Sequence, residues 1–143
     1  MQKNENAENP AKGKKFQQQL GVALEKYYGV EFRMEHRIAI ENPPKEHKFD
    51  LVSANARYVA ECKNFSWTKV GNVPSAKMGF CNQAVFYLSF LPRNVRKLLV
   101  LRKAEHPRRK ETLATYYKRI YKHLLGGVLV MEFSPNSNRL DEI

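Results

Sequence analysis

The first half of the chain shows two hydrophobic periodicities, one helical and one strand-like. Between Lys14 and Tyr28, apolar residues recur every three or four positions, which predicts an amphipathic helix. Gly29 is a natural stop for that helix because glycine adopts the left-handed conformation that ends many helices. Apolar and charged residues then alternate up to the break at 42–44, which predicts a half-buried strand. The apolar positions expected on one face of this strand are Val30, Phe32, Met34, Ile38 and Ile40.

Shorter apolar segments complete the pattern. The remaining predicted elements are strands at 49–52, 57–63, 98–101 and 128–133 and helices at 75–91 and 111–125. The helix at 75–91 has no charged residue after Lys77, so we expect it to be buried on more than one side. The resulting order of elements, α-β-β-β-α-β-α-β, belongs to the α/β class.

The chain of 143 residues is expected to form one domain. Residues 1–12 are polar, which predicts a disordered tail. The domain is expected to span 13–133, and 134–143 is expected to be a polar C-terminal tail. Cys62 and Cys81 lie in apolar surroundings and are interpreted as buried thiols in a reducing compartment. Neither a membrane span nor a signal sequence is visible, so a cytoplasmic location is expected.

Charge changes the picture. The chain carries 25 Lys and Arg against 14 Asp and Glu, a net charge of +11, and a polyanion is the simplest partner for such a chain. Eleven of the basic residues lie between Arg93 and Lys122, with only Glu105 and Glu111 among them. We therefore expect this segment to contact nucleic-acid phosphates. Its candidate contacts, next to and along the helix at 111–125, are Arg108, Arg109, Lys110, Lys118, Arg119 and Lys122.

Three residues on the second and third strands form the candidate reaction centre. Side chains alternate along a strand, so Glu61 and Lys63 share a face. If the second strand pairs with the third through the turn at 53–56, the carboxylate of Asp50 converges with that of Glu61. Two carboxylates beside a lysine suit a Mg²⁺ site that hydrolyses a phosphodiester. The same short pattern is also common on exposed strands with no catalytic role.

The order of elements and the placement of these residues resemble the PD-(D/E)XK nuclease superfamily, over about residues 13–133. The resemblance implies the restriction-endonuclease-like fold, a mixed central sheet of about five strands flanked by helices. It also implies a DNA endonuclease that uses Mg²⁺, with Mn²⁺ as a substitute, in restriction, repair, recombination or mobile-element biology. Asp50, Glu61 and Lys63 match the three motif residues, while Phe49 stands where the motif has proline.

Three further residues follow from the resemblance. The backbone carbonyl of Cys62 would complete the metal ligands. Gln17 stands where many members carry a glutamate on the first helix, and would hold the metal only through a water. Gln83 and Tyr87 match a Gln-x-x-x-Tyr pattern of the recombination-nuclease branch, which makes Gln83 a candidate catalytic residue. The alternative interpretation of Tyr87 is that it is only a core residue of a buried helix.

Two alternatives stay open at this point. One alternative is a non-catalytic nucleic-acid-binding module on the same fold, and the other is an interaction subunit of a larger assembly. A homodimer through the uncharged helix at 75–91 is also an open alternative, since a second copy would cover its apolar surface. DNA is the expected partner in the main hypothesis, and its strandedness is not determined by the sequence.

Overall fold

A computed structural model describes residues 10–41 and 45–143. The described chain contains three helices and six strands. The helices are α1 (Pro10–Tyr28), α2 (Ser75–Leu88) and α3 (Leu113–Leu125). The strands are β1 (Phe32–Ala39), β2 (Glu46–Ser53), β3 (Tyr58–Lys63), β4 (Arg96–Arg102), β5 (Leu129–Ser134) and β6 (Arg139–Glu142).

The strands form one mixed sheet in which the spatial order β1-β2-β3-β4-β5-β6 follows the chain. The pairs β1–β2, β2–β3 and β5–β6 are antiparallel, and β3–β4 and β4–β5 are parallel. Each parallel pair is joined by a helix, α2 or α3, because parallel neighbours need a crossover connection. The predicted α/β class is therefore confirmed, with a mixed sheet of six strands.

Helices cover both faces of the sheet and bury two separate hydrophobic clusters. On one face, α1 buries Phe16, Leu20 and Leu24 against the sheet. On the other face, α2 and α3 pack over a larger cluster that includes Leu99 and Tyr117. The strands in the middle are thus buried on both sides, which explains the continuous apolar run of β4.

Strand β1 does not keep the uninterrupted alternation that the sequence predicts. Glu35 has a left-handed backbone with φ of 52°, which is uncommon for a residue with a side chain. The pairing with β2 resumes in the same register beyond this residue. Met34 consequently packs with the α1 cluster, whereas Ile38 packs with the α2–α3 cluster. The expectation that all apolar residues of this strand share one face is wrong, because Glu35 reverses the alternation.

The ends of the domain also differ from the prediction. The predicted disordered tail at 1–12 lies outside the described residues up to position 9, while residues 10–12 belong to α1. The expected break at 42–44 also falls outside the described chain. At the other end, part of the predicted polar tail at 134–143 forms β6, so the sheet has six strands instead of about five.

Helix α2 is buried on one side only within the described structure. Its covered residues include Met78, Cys81 and Leu88. Phe80 and Phe86 keep 42% and 62% of their surface exposed, so the described elements of the chain itself do not cover a second side of the helix. No helix in the described part of the chain is both long enough and apolar enough to cross a membrane.

Candidate functional site

The candidate site lies where β2 and β3 separate. The two strands pair at Leu51 with Ala60 and at Val52 with Val59. The next positions in that register are Asp50 and Glu61, and there the pairing of the two strands ends. The carboxylate of Asp50 replaces a backbone carbonyl as hydrogen-bond acceptor here, since its Oδ2 accepts a hydrogen bond of 2.7 Å from the Cys62 amide.

The carboxyl groups of Asp50 and Glu61 interact directly in this gap. Glu61 is buried, with 5% of its surface exposed. Burial, the charge of Asp50 and a hydrogen bond with the Asp50 side chain together raise the pKa of Glu61 to about 9, and burial is the largest of these causes. Lys63 acts in the opposite direction but does not offset burial. The pair therefore holds a proton at neutral pH unless a cation replaces it.

Two backbone features complete the surroundings of Asp50. The amide of Gln17, a buried residue of α1, donates a hydrogen bond of 2.7 Å to the main-chain oxygen of Asp50. Gln17 thus lies at the site, where it fixes the backbone of β2. In an extended strand the N–H and C=O of one residue point toward the same neighbour. Because the Cys62 amide points toward Asp50, the Cys62 carbonyl projects toward the same gap.

Lys63 lies on the face of β3 predicted from alternation. Val59 packs with the α2–α3 cluster and Ala60 and Cys62 with the α1 cluster, which puts Glu61 and Lys63 on the α2 side. The Lys63 ammonium group lies 6.0 Å from the centre of the Phe65 ring, just beyond the end of the strand.

His47 is a site residue that the sequence did not reveal. Its Nε2 lies 3.3 Å from Oε1 of Glu61. Its ring stacks on Tyr87 of α2, with centroids 3.7 Å apart and planes 10° from parallel. Burial lowers the pKa of His47, and Lys63 lowers it further while Asp50 opposes the shift. A neutral imidazole therefore faces Glu61 near neutral pH.

The reversal at Glu35 explains why sequence patterning does not find His47. Phe49 and Val52 both pack with the α2–α3 cluster, whereas Leu51 packs with the α1 cluster. An unbroken alternation back from Leu51 would place residue 47 on the α1 side. A left-handed residue opposite Asp50 is not visible in the sequence pattern.

Gln83 is not brought into contact with these groups. It is exposed on α2, one turn before Tyr87, whose ring lies against His47. Residues four apart share a helix face, so Gln83 lies on the side of α2 that borders the site. Its neighbour Asn82 instead accepts a hydrogen bond of 2.8 Å from the Tyr117 hydroxyl.

Several of the basic residues expected to contact phosphates have partners within the chain. Arg109 and Arg119 both pair with Glu111, each at 2.8 Å. Arg109 also lies over the Trp67 ring, 5.1 Å from its centre, and Arg119 over that of Tyr116 at 5.4 Å. These two arginines therefore carry less uncompensated charge than the sequence suggests.

Arg108 and Lys118 bind backbone oxygens. Arg108 donates a hydrogen bond of 2.7 Å to the carbonyl of Val70, and the Lys118 ammonium donates to the main-chain oxygen of Ile143. The basic residues on α3 are thus not one uniform stripe facing solvent. Lys110 and Lys122, two of the six predicted phosphate contacts, are exposed and take part in none of the contacts described above.

The start of α3, where a phosphate contact is predicted, is capped by side chains of the chain itself. The helix begins at Leu113, with Thr112 as its cap, and the Thr112 oxygen accepts a hydrogen bond from the Thr115 amide. The Thr112 hydroxyl also contacts the carboxylate of Glu132, a buried residue of β5. A carboxylate therefore lies beside the cap of α3, and its negative charge opposes binding of a phosphate there.

The donors gathered at the strand gap are two carboxylates and one backbone carbonyl, all oxygen ligands of the kind that Mg²⁺ and Mn²⁺ take. Among residues 10–41 and 45–143, no group of three or more His, Cys, Asp or Glu side chains is arranged to hold a metal ion. A cation here would therefore rely on the Cys62 carbonyl and on water for its remaining ligands.

A comparison of the chain with protein-family models, curated proteins and solved structures finds no match.

Proposed function

We propose that this protein is a divalent-cation-dependent nuclease that hydrolyses phosphodiester bonds in DNA, on a fold of the restriction-endonuclease-like type. The observation that carries the proposal is the placement of Asp50 opposite the buried Glu61 where the β2–β3 pairing ends, with each carboxyl group acting on the other. Two acids in contact, one of them buried, repel each other once both are ionised. A hard divalent cation relieves that repulsion and uses the oxygen donors present.

The chain's own residues have distinct roles in this proposal. Asp50 and Glu61 hold the cation, with the Cys62 carbonyl as a third donor and Gln17 fixing the Asp50 backbone. Mg²⁺ or Mn²⁺ at this position would supply a Lewis acid for the scissile phosphate and lower the pKa of an attacking water. Lys63, on the same face as Glu61, stabilises the negative charge that develops on the phosphoryl oxygens.

Catalysis is tested with purified protein and a panel of labelled DNAs and RNAs in Mg²⁺, Mn²⁺ or EDTA. Asp50→Asn and Lys63→Gln should each reduce the cleavage rate by about 10²–10³, as loss of one charge-stabilising group typically does. Lys97→Gln is the matched control, because Lys97 lies on β4 beside Val59, away from the carboxyl pair. Loss of binding in parallel with cleavage in Asp50→Asn would give Asp50 a structural role instead.

The non-catalytic alternative makes the opposite prediction in the same assay. A binding module would retain nucleic acid in EDTA and leave every substrate intact in both cations. It also gives no reason for two carboxyl groups to face a polyanion, since each repels phosphate.

A further inference from the structure

The surface beside the carboxyl pair contains an aromatic corner with two lysines. We define the aromatic corner as Lys63 and Phe65 at the end of β3 together with Lys77 and Phe80 on α2. The Lys77 ammonium lies 5.3 Å from the Phe65 ring centre and 5.5 Å from that of Phe80. Lys63 lies over the same Phe65 ring at 6.0 Å. Two ammonium groups therefore converge on the Phe65 ring, and one of them also lies near Phe80.

The charge of the aromatic corner is suited to an anion. Neither lysine has an ion pair with a carboxylate in the described part of the chain. Each ammonium is instead positioned by a ring, which attracts cations through its negative face. The proposed reaction centre is adjacent, because Lys63 also acts on the pKa of Glu61. A phosphate next to the scissile one would find two positive charges here.

The rings themselves are suited to a base. Phe80 keeps 42% of its surface exposed, and at about 100° per residue it lies within about 20° of Tyr87 on the side of α2 that borders the site. A base in a duplex is stacked on its neighbours and cannot lie on such a ring, whereas an unpaired base can. Aromatic rings next to cations are a recurrent device for holding single strands.

From this geometry we infer that the substrate is single-stranded where it is cut, with a phosphate between Lys63 and Lys77 and the adjacent base stacked on Phe80. This inference deepens the proposed function and rests on it for the position of the cut. The alternative occupant of the exposed α2 surface, a second copy of the chain, is an outcome of the test below.

Binding is measured first, in EDTA so that no strand is cut. The probes are a short labelled single strand, its duplex with the complement, and the same single strand carrying a fluorescent base analogue. Phe80→Leu keeps an apolar side chain but removes the ring, and should weaken single-strand binding about 5- to 150-fold, the range that corresponds to 1–3 kcal/mol per stacked base. The change in analogue fluorescence on binding should disappear, and duplex affinity should stay the same. Lys77→Gln should weaken binding and make it less salt-dependent.

Phe86→Leu is the matched control. Phe86 is on the same helix and 62% exposed, but lies about 120° around the axis from Phe80, so both affinities should be unchanged. Equal effects of the two substitutions, or a wild-type preference for duplex, would overturn the inference. A change in sedimented mass with Phe80→Leu, without a change in affinity, would assign the surface to a second copy and overturn it as well.

Cleavage in Mg²⁺ separates the two proposals. Cation-dependent cutting of duplex at the same rate in wild type and Phe80→Leu would leave the nuclease proposal intact and refute the single-strand inference. Binding of single strands that depends on Phe80, with no cutting of any nucleic acid, would refute the nuclease and support the single-strand site. Faster cutting of single strands than duplex, reduced in Phe80→Leu, would support both.

Discussion

Replacing Glu61 by glutamine should stabilise the cation-free protein at alkaline pH. In the folded protein, burial and Asp50 raise the pKa of Glu61 from its ordinary value of 4.5 to about 9. Between these two values the folded state keeps a proton that the unfolded state has released. Because stability falls with pH wherever the folded state binds more protons, this group opposes folding increasingly as the pH rises from about 5 toward 9.

The magnitude follows from the width of that interval. Each pH unit corresponds to about 1.36 kcal/mol, so three units between pH 5 and pH 8 cost about 4 kcal/mol of the free energy of unfolding. Glu61→Gln removes the titrating group while keeping a similar shape. The slope should therefore become shallower by about 1.4 kcal/mol per pH unit in this range.

The assay is urea unfolding in EDTA at several pH values, for wild type and Glu61→Gln. Glu132→Gln is the control for placing an amide at a buried glutamate, since Glu132 is also 5% exposed but contacts Thr112 instead of a second acid. Indistinguishable slopes in wild type and Glu61→Gln would refute the idea that the carboxyl pair holds a proton. Added Mn²⁺ should raise the stability of wild type at pH 8 and leave that of Glu61→Gln nearly unchanged.

Three further outcomes follow from the same structure. Cation binding requires loss of the proton on Glu61, so the apparent Mn²⁺ affinity should rise up to about tenfold per pH unit from pH 6 to 8, measured by calorimetry with about one proton released; a flat affinity would contradict this. His47→Gln should weaken Mn²⁺ binding several-fold while leaving the stability of the cation-free fold within about 1 kcal/mol, because His47 only positions the carboxylate; an unfolded variant would show a structural role instead. Lys122→Gln should reduce the salt slope of DNA binding by about 0.7–0.9 if its ammonium group neutralises one phosphate. Arg119→Gln should change the salt slope less, since Glu111 already pairs with that arginine. Equal changes in the two variants would show that the Arg119–Glu111 ion pair opens on binding.

The part of the site predictable from the sequence is the part where the alternation is regular. Strand β3 follows the two-residue period throughout, so Glu61 and Lys63 fall on one face as predicted. Asp50 lies where the alternation of β2 breaks, and its approach to Glu61 follows instead from the predicted pairing of β2 with β3. His47 was not predictable, since β2 reverses its alternation between Phe49 and Leu51, opposite the left-handed Glu35 of β1.

The sequence does not show which of the basic side chains form ion pairs within the chain. Composition shows that the segment from Arg93 to Lys122 is basic, but not which charges are compensated. Arg109 and Arg119 are ten residues apart and meet at Glu111 only because the loop folds back before α3. Strand β6 was not predicted for a related reason: an edge strand needs little apolar content, and Leu140 is its one aliphatic residue.

The reversal at Glu35 also bears on how the chain folds. The hairpin of β1 and β2 contributes Met34 and Leu51 to one cluster and Ile38 and Phe49 to the other. Neither helical layer can therefore complete its interior without the same hairpin. The residues of that second cluster on α2 and α3 come later in the chain, so loop closure must precede its completion. We expect unfolding in a single transition by every probe, with no stable fragment made of α1 and the hairpin alone.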